Sequence, residues 1–209
     1  LFRGVEDEIA YICENGALVM YRGEALDKHI VDRKTGQYLM KEILKKDGAE
    51  VLLSGVNTCY IQPKDPDYAR HLKEVVKNNV TVVEDILNTE EPYLKISLYE
   101  KEGVEPNFQY WKEKFAGVAK VVTSGNAWLD TLQDGVDKGS AIRALQKHFG
   151  ISPEETIAFG DNYNDLEMLR GVGYPVAMEK APEAVKRICT METPLVEETL
   201  EEILEGTYD

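Results

Sequence analysis

Two short segments near the carboxyl end of the chain carry polar residues with the chemistry of a phosphate or metal site. Asp161, Asn164 and Asp165 follow directly on the apolar residues 156–159, and Lys138 lies upstream. Carboxylate oxygens are ligands that suit Mg²⁺, and an ammonium group suits a phosphate. These four residues are therefore the first candidates for a functional site.

The acidic loop is predicted to lie at the carboxyl end of a strand. Residues 156–159 form a short apolar run that follows the turn residues Ser152 and Pro153 and ends at Gly160. In open α/β sheets, ligands bind at the carboxyl ends of the strands. An alternative stays open from this loop alone, because Asp and Asn also favour turns and the start of a helix, here residues 165–170.

Lys138 is predicted to begin a helix that ends before Gly150. Apolar residues recur there at helical spacing, at Ala141, Ile142, Leu145 and Phe149. A cation at a helix N-terminus is unfavourable with respect to the helix dipole unless an anion is also present. The position of Lys138 therefore indicates a nearby anion, and we expect a phosphate.

The order of four motifs resembles the carboxyl-terminal half of a Cof-type phosphatase of the haloacid dehalogenase superfamily, the class with a type IIB cap. The motifs are Val-Asp-Lys-Gly (136–139), Gly-Asp-Asn-Tyr-Asn-Asp (160–165), Gly-Tyr-Pro-Val-Ala-Met (173–178) and Ala-Pro-Glu-Ala-Val-Lys (181–186). Residues 11–17 are similar to the strand and turn before the cap of this family, and residues 124–134 resemble the strands that lead back. The resemblance thus covers nearly all of the chain.

The resemblance implies an α/β fold, with a Rossmannoid parallel-sheet core that lacks its first strand and an inserted α+β cap domain. Residues 1–21 and 134–209 would form the split core, where strand and helix patterns alternate. Residues 22–133 would form the cap. Its predicted elements are helices at 35–46, 66–78 and 106–115, and strands at 50–53, 58–62, 94–99, 120–123 and 127–132.

The family carries out Mg²⁺-dependent phosphoryl transfer through a phosphoaspartate, and the resemblance assigns a role to each candidate. Lys138 would be catalytic and would bind the phosphoryl oxygens. Asp161 would bind Mg²⁺ directly, and Asp165 would hold a water or another ligand of the metal. Asn164 would donate to the phosphate or orient the loop.

Two further positions are less well defined. Asn15 is a candidate for phosphate or substrate binding near the mouth of the site, but Asn-Gly is also a turn-forming pair. Lys180 stands where the family usually has Asn in a Met-x-Asn-Ala sequence, so the contact of that loop is left open.

The aspartate nucleophile of the superfamily belongs to an N-terminal DxDGT motif, and the printed sequence starts after the corresponding segment. The other Asp-x-Asp, at Asp65 and Asp67, is predicted to be a turn and a helix start. Two hypotheses follow. Either a segment ahead of Leu1 in the natural protein supplies the nucleophile, or the chain is a catalytically silent remnant that binds phosphate and metal.

The composition of the chain limits the kinds of binding partner that we expect. A net charge of -14 over 209 residues, without a basic cluster, argues against nucleic acid and against an anionic membrane surface. Three cysteines without a CxxC pair favour a reducing compartment. We therefore expect a cytoplasmic monomer or homodimer that acts on a small phosphorylated metabolite, such as a sugar phosphate or a nucleotide cofactor.

Overall fold

The computed structural model describes residues 4–206 of the chain. The chain divides into two compact units, Leu1–Gly135 and Val136–Asp209. The described residues up to Tyr21 group with the first unit. The predicted split core of residues 1–21 and 134–209, and the predicted cap of residues 22–133, therefore stay predictions.

The first unit contains two sheets. The smaller sheet is an antiparallel meander in the order β1-β2-β3, and the larger one has six strands in the order β6-β5-β4-β7-β9-β8. In the larger sheet only β5 and β6 pair in parallel. The strands are β1 (Ala10–Cys13), β2 (Leu18–Tyr21), β3 (Glu24–Lys28), β4 (Ala49–Ser54), β5 (Cys59–Ile61), β6 (Val80–Val82), β7 (Lys95–Glu100), β8 (Lys120–Gly125) and β9 (Trp128–Leu132).

Two helices and one face of the larger sheet form the main core of this unit. Helix α1 (Arg33–Leu44) begins at Asp32, whose carboxylate accepts the backbone N–H of Thr35 at 2.9 Å. Helix α3 (Phe108–Lys114) contributes Trp111, which is fully buried. Other buried members of this cluster are Leu39, Met40, Ile43, Leu53, Ile96, Leu98 and Phe115. The alternation of inward apolar residues along β4 and β7 explains why this face is covered.

The predicted helix at residues 66–78 is only partly α-helical. Helix α2 (Pro66–Arg70) begins at Asp65, which confirms the predicted helix start at the Asp-x-Asp pair. The chain then widens into a π-helix, His71–Val76, and Lys77 ends it in the left-handed conformation, at a φ of 61°. The apolar spacing that predicts a helix does not distinguish an α-turn from the wider turn.

The second unit has the βα alternation that the sequence predicts. Its three strands pair in parallel in the order β10-β11-β12, which confirms the α/β class. The strands are β10 (Ile157–Gly160), β11 (Tyr174–Met178) and β12 (Met191–Thr193), and the helices are α4 (Lys138–Phe149), α5 (Leu166–Leu169), α6 (Glu183–Lys186) and α7 (Val196–Leu204). Strands β3, β6 and β12 are short or mostly exposed and were not predicted.

No helix within residues 4–206 is both long enough and apolar enough to cross a membrane.

Truncating Ile43 tests the core of the first unit. Ile43 is fully buried on α1, so Ile43→Ala should lower the free energy of unfolding by about 2 to 5 kcal/mol. Both tryptophans, Trp111 and Trp128, lie in this unit, so urea unfolding followed by tryptophan fluorescence reports on it. Ile30→Ala, at a side chain of the same unit that is 47% exposed, is the matched control and should change little. Equal losses in both variants would contradict this core.

The Glu42 carboxylate, which joins α1 to α3, gives a prediction about pH. The hydrogen bond from Lys114 at 2.7 Å, followed by that from Lys45, lowers the pKa of Glu42 from 4.5 to about 2. Because the folded pKa is the lower one, the stabilisation is complete above pH 4.5 and is lost as the pH falls towards 2. An NMR titration of Glu42 should show this low pKa, and Lys114→Gln should raise it. Lys41→Gln should leave it unchanged.

Candidate active site

The start of α4 places Lys138 beside Asp165. Asp137 caps this helix, because its carboxylate accepts the backbone N–H of Ser140 at 2.8 Å while the Ser140 hydroxyl accepts the N–H of Asp137 at 3.0 Å. Lys138 is thereby the first helical residue. Its Nζ donates to Asp165 Oδ1 at 2.5 Å. The predicted anion beside Lys138 is thus present as a protein carboxylate, so the position of Lys138 does not by itself require a phosphate.

Asp165 is the most constrained side chain of this group. It is only 2% exposed, and its second oxygen accepts the backbone N–H groups of Asp161, at 2.9 Å, and Asn162, at 3.1 Å. Both oxygens of the carboxylate are therefore used within the second unit. Hydrogen bonds to a buried charge are stronger than neutral ones, so Asp165 fixes the shape of the acidic loop.

The glycines of the two motifs are explained by close packing. A Cβ on Gly139 would lie 2.5 Å from the carbonyl oxygen of Glu167, and a Cβ on Gly160 would lie 2.8 Å from the Cβ of Asp165. Any larger residue at either position would push α4 and the loop away from α5. From the sequence, Gly160 is only the predicted end of a strand and Gly139 is only part of a motif, so this close packing was not predicted.

Asp161 differs from Asp165 in its surroundings. It follows β10 and is exposed, whereas Asp165 is buried. Partial desolvation of the carboxyl group, and then the charge of Asp165, raise the pKa of Asp161, and Lys138 opposes the shift. A second cation beside Asp161 would favour its ionised form. This chemistry suits a metal ligand, although within residues 4–206 no group of three His, Cys, Asp or Glu side chains is arranged to hold a metal ion.

The rest of the loop is organised by a residue that the sequence interpretation did not single out. Asn162 caps the 3-10 turn Tyr163–Asp165, since its side-chain oxygen accepts the N–H of Tyr163 at 2.7 Å. The capping alternative for this loop is therefore correct for Asn162. Asn164 lies in the same turn and is partly exposed. Its assignment to phosphate stays a prediction.

Asn15 lies in the first unit and has a structural contact of its own. It adopts the left-handed conformation, with a φ of 55°, and Gly16 follows at 99°, so the Asn-Gly turn is present. Its side-chain amide donates to Asp130 at 2.5 Å. Asp130 also accepts from Ser97 at 2.6 Å and from Lys95 at 3.1 Å. The phosphate role of Asn15 stays a prediction.

Lys180 lies in the exposed turn after β11. Because β10 and β11 are parallel neighbours, their carboxyl ends lie at the same edge of the sheet. The turn that carries Lys180 and the loop that carries Asp161 therefore follow adjacent strands at this edge.

Comparison with known proteins places these features in a family. Residues 1–199 match the model of the haloacid dehalogenase-like hydrolases. The chain is 30% identical over 185 residues to the 5-amino-6-(5-phospho-D-ribitylamino)uracil phosphatase YbjI of Escherichia coli. The matched region covers 88% of this chain and 68% of that protein.

Solved structures show the same fold. The SMU.1108c protein of Streptococcus mutans superimposes with a TM-score of 0.86 at 23% identity, over 98% of this chain and 80% of that one. A sugar phosphatase of haloacid dehalogenase subclass IIB superimposes with a TM-score of 0.80 at 22% identity, over 99% of this chain and 79% of that one. With the loop and lysine described above, these findings show that the chain belongs to the haloacid dehalogenase-like hydrolases and is a phosphohydrolase of that family.

Proposed function

We propose that the protein is a Mg²⁺-dependent phosphatase of small phosphomonoesters, of the sugar phosphate or nucleotide-cofactor type. The observation that carries the proposal is the arrangement of Lys138, Asp165 and Asp161 at the carboxyl end of β10. Support for the substrate class comes from the relatives, which are named for a phosphoribitylamino-uracil and for sugar phosphates.

The donor set suits Mg²⁺, which takes one or two carboxylates and completes its shell with water and phosphate oxygens. Asp161 would be the direct ligand, because partial desolvation and then the charge of Asp165 raise its pKa, and a bound cation would favour the ionised carboxylate. Asp165 would act by orienting the loop and any metal-bound water, since Lys138 and two backbone amides already occupy its oxygens. When bound, Mg²⁺ would supply charge neutralisation at the phosphoryl oxygens.

Lys138 would hold the phosphoryl group. Its ammonium has three N–H donors, and the bond to Asp165 uses one of them. The side chain is 29% exposed, so the remaining donors can reach a ligand. Asp165 fixes the direction of the ammonium group, which matches the need for donors that are already oriented when charge develops on the phosphoryl oxygens. Asn164 and Asn15 are proposed as further contacts to the substrate.

The nucleophile is proposed to be an aspartate in a segment that precedes Leu1 in the natural protein. The alternative is a silent remnant that retains phosphate and metal binding. We also propose that residues 1–21 and 134–209 form the core and residues 22–133 the cap, in a cytoplasmic monomer or homodimer.

Replacing Asp161 tests the metal assignment. In the full-length natural protein, Asp161→Asn should reduce Mg²⁺-dependent hydrolysis of p-nitrophenyl phosphate by about 100-fold or more, because the direct metal ligand is lost. The variant should still fold, since Asp161 is exposed and its backbone N–H continues to bind Asp165.

The same variant tests whether the 209-residue chain by itself retains the phosphate and metal site. Orthovanadate with Mg²⁺ should raise the melting temperature of the parent chain and not that of Asp161→Asn. Glu154→Gln, at an exposed carboxylate of the same unit, is the matched control and should behave like the parent. Wild-type hydrolysis by Asp161→Asn would refute the metal assignment.

Lys138 gives a second prediction, which separates its structural role from its chemical role. Lys138→Met leaves one oxygen of the buried Asp165 carboxylate without its donor, so it should lower the free energy of unfolding by about 1 to 3 kcal/mol. Lys138→Met combined with Asp165→Asn should recover part of this loss, because no uncompensated charge remains. Amide hydrogen exchange of β10 measures both effects.

The recovery of stability in the double variant Lys138→Met/Asp165→Asn should not be accompanied by a recovery of hydrolysis. In the full-length protein the double variant should stay inactive at any stability, because the ammonium group is absent. Recovery of hydrolysis together with stability would show that Lys138 is only structural.

A further inference from the structure

Strand β6 lies at one edge of the six-stranded sheet, and within residues 4–206 only β5 pairs with it. The carbonyl oxygen of Asn79 accepts a hydrogen bond from β5, and the N–H of Val83 donates one to β5, each at 2.9 Å. In a parallel pair, alternate residues face the neighbouring strand, so the N–H and C=O groups of Val80 and Val82 point away from the sheet. They form a row of unpaired donors and acceptors that another strand can use.

The other edge of the same sheet is protected from such pairing, whereas β6 is not. Strand β8 begins with the exposed Lys120 and has an irregular register between Thr123 and Gly125. Charged side chains and bulges are the usual features that keep an edge from pairing. Strand β6 has the sequence Val-Thr-Val, with no charge and no proline, and its register with β5 is regular. Its free side is therefore open to a further strand.

Exposed valines adjoin this free side. Val82 is 51% exposed, and Val75 and Val76 of the π-helix are 68% and 41% exposed. The π-helix runs directly into β6, and the N–H of Asn78 between them donates to the carbonyl oxygen of Leu72 at 2.9 Å, which holds the two elements together. We call Val75, Val76 and Val82 the valine patch. Exposed apolar patches of this kind are typical of protein interfaces.

The charges at the two ends of β6 have opposite signs. Lys77 precedes the strand, Glu84 and Asp85 follow it, and all three side chains are exposed. Within residues 4–206, neither Lys77 nor Glu84 forms an ion pair. If the strand meets a copy of itself in the antiparallel direction, the basic end of each copy meets the acidic end of the other. A copy in the parallel direction would instead bring like charges together, which is unfavourable.

We infer that β6 is the dimerisation edge of this protein and that its partner is β6 of a second copy, paired antiparallel across a two-fold axis. Val80 of each copy lies opposite Val82 of the other, so their outward N–H and C=O groups satisfy one another. Thr81, whose backbone groups face β5, lies on the axis. The same surface serves both copies, as a two-fold interface requires.

The two valine patches meet in this arrangement. Val80 packs in the same cluster as Leu72 of the π-helix, so it points to the face of the sheet that this helix covers. Val82 points to the same face, because alternate residues of a strand share a face. An axis that relates antiparallel neighbours in one sheet is perpendicular to the sheet. The π-helices of both copies therefore lie on one face and bring Val75 and Val76 towards the axis.

Sedimentation of the 209-residue chain tests the association. Because β6 is short, we expect a reversible dimer with a dissociation constant of about 1 to 100 µM. Val82→Lys places like charges beside the axis and should raise this constant about tenfold or more, while the exposed position tolerates the change. Val118→Lys, at a valine of the same unit that is 41% exposed, is the matched control and should leave the dimer unchanged. A parent chain that stays monomeric up to about 500 µM would overturn the inference.

A charge exchange tests the direction of the pairing. Lys77→Glu and Glu84→Lys should each weaken the dimer about threefold, because like charges then meet across the axis. The double variant should recover part of the affinity, since the two ends again have opposite signs. A double variant that binds no more tightly than either single variant would exclude the antiparallel direction.

A cysteine at Thr81 tests the position of the axis. Opposite residues of an antiparallel pair that do not share hydrogen bonds have Cα atoms about 4.5 Å apart, which a disulfide can span. Thr81→Cys should therefore form a covalent dimer when diamide oxidises the two thiols. The parent chain, with its three cysteines, and Lys120→Cys, at the opposite edge of the sheet, are the controls and should not.

The outcome at Thr81 decides between surfaces. If the chain dimerises but Thr81→Cys gives no more covalent dimer than Lys120→Cys, the copies associate through another surface and the assignment to β6 is overturned. None of these measurements depends on hydrolysis, so they stand whatever the result for Asp161.

Discussion

The ion pair between Lys138 and the buried Asp165 is the constraint on which the candidate site depends. One oxygen of Asp165 binds the lysine at the start of α4, and the other binds two backbone amides of the acidic loop. One carboxylate thereby fixes the relative position of a helix start and a strand end. Gly139 and Gly160 permit this approach, because a side chain at either would collide with α5 or with Asp165 itself. Asp161 lies in the same loop, where partial desolvation and then the charge of Asp165 raise its pKa.

Sequence reasoning found β10 and α4 of the second unit because apolar spacing and turn residues agree there, in the run of residues 156–159 and in the helix from Lys138 to Phe149, but it did not find the short strand β12. It also found the residues that meet at the loop. It did not find β3 or β6, since exposed strands such as Glu24–Lys28 carry no continuous apolar pattern. The π-helix at His71–Val76 was not predicted either, because its hydrophobic spacing resembles that of an ordinary α-helix.

The different surroundings of Asp161 and Asp165 could not be predicted from the sequence. Spacing places both in one loop, and the family resemblance assigned different roles to them. The structure shows how their surroundings differ: both oxygens of Asp165 accept hydrogen bonds from protein donors, whereas Asp161 is exposed at the edge of the sheet. The prediction of an anion beside Lys138 was correct, but the anion is the Asp165 carboxylate and was interpreted as a bound phosphate. A sequence does not show which distant carboxylate lies beside a helix N-terminus in the folded chain.

The loop of residues 160–165 is held by contacts within the protein that involve no ligand, and this has a consequence for how the sequence of the loop can change. Asn162 and Asp165 close a capping box, and Gly160 leaves room for Asp165. A lineage that no longer turned over substrate would still be selected to keep these three residues, because losing them would unfold the loop. Asp161 contributes its backbone N–H to the loop and not its side chain to the capping box, so selection to keep an aspartate there would be lost first. Inactive descendants should therefore be recognised by drift at Asp161 within an otherwise intact motif.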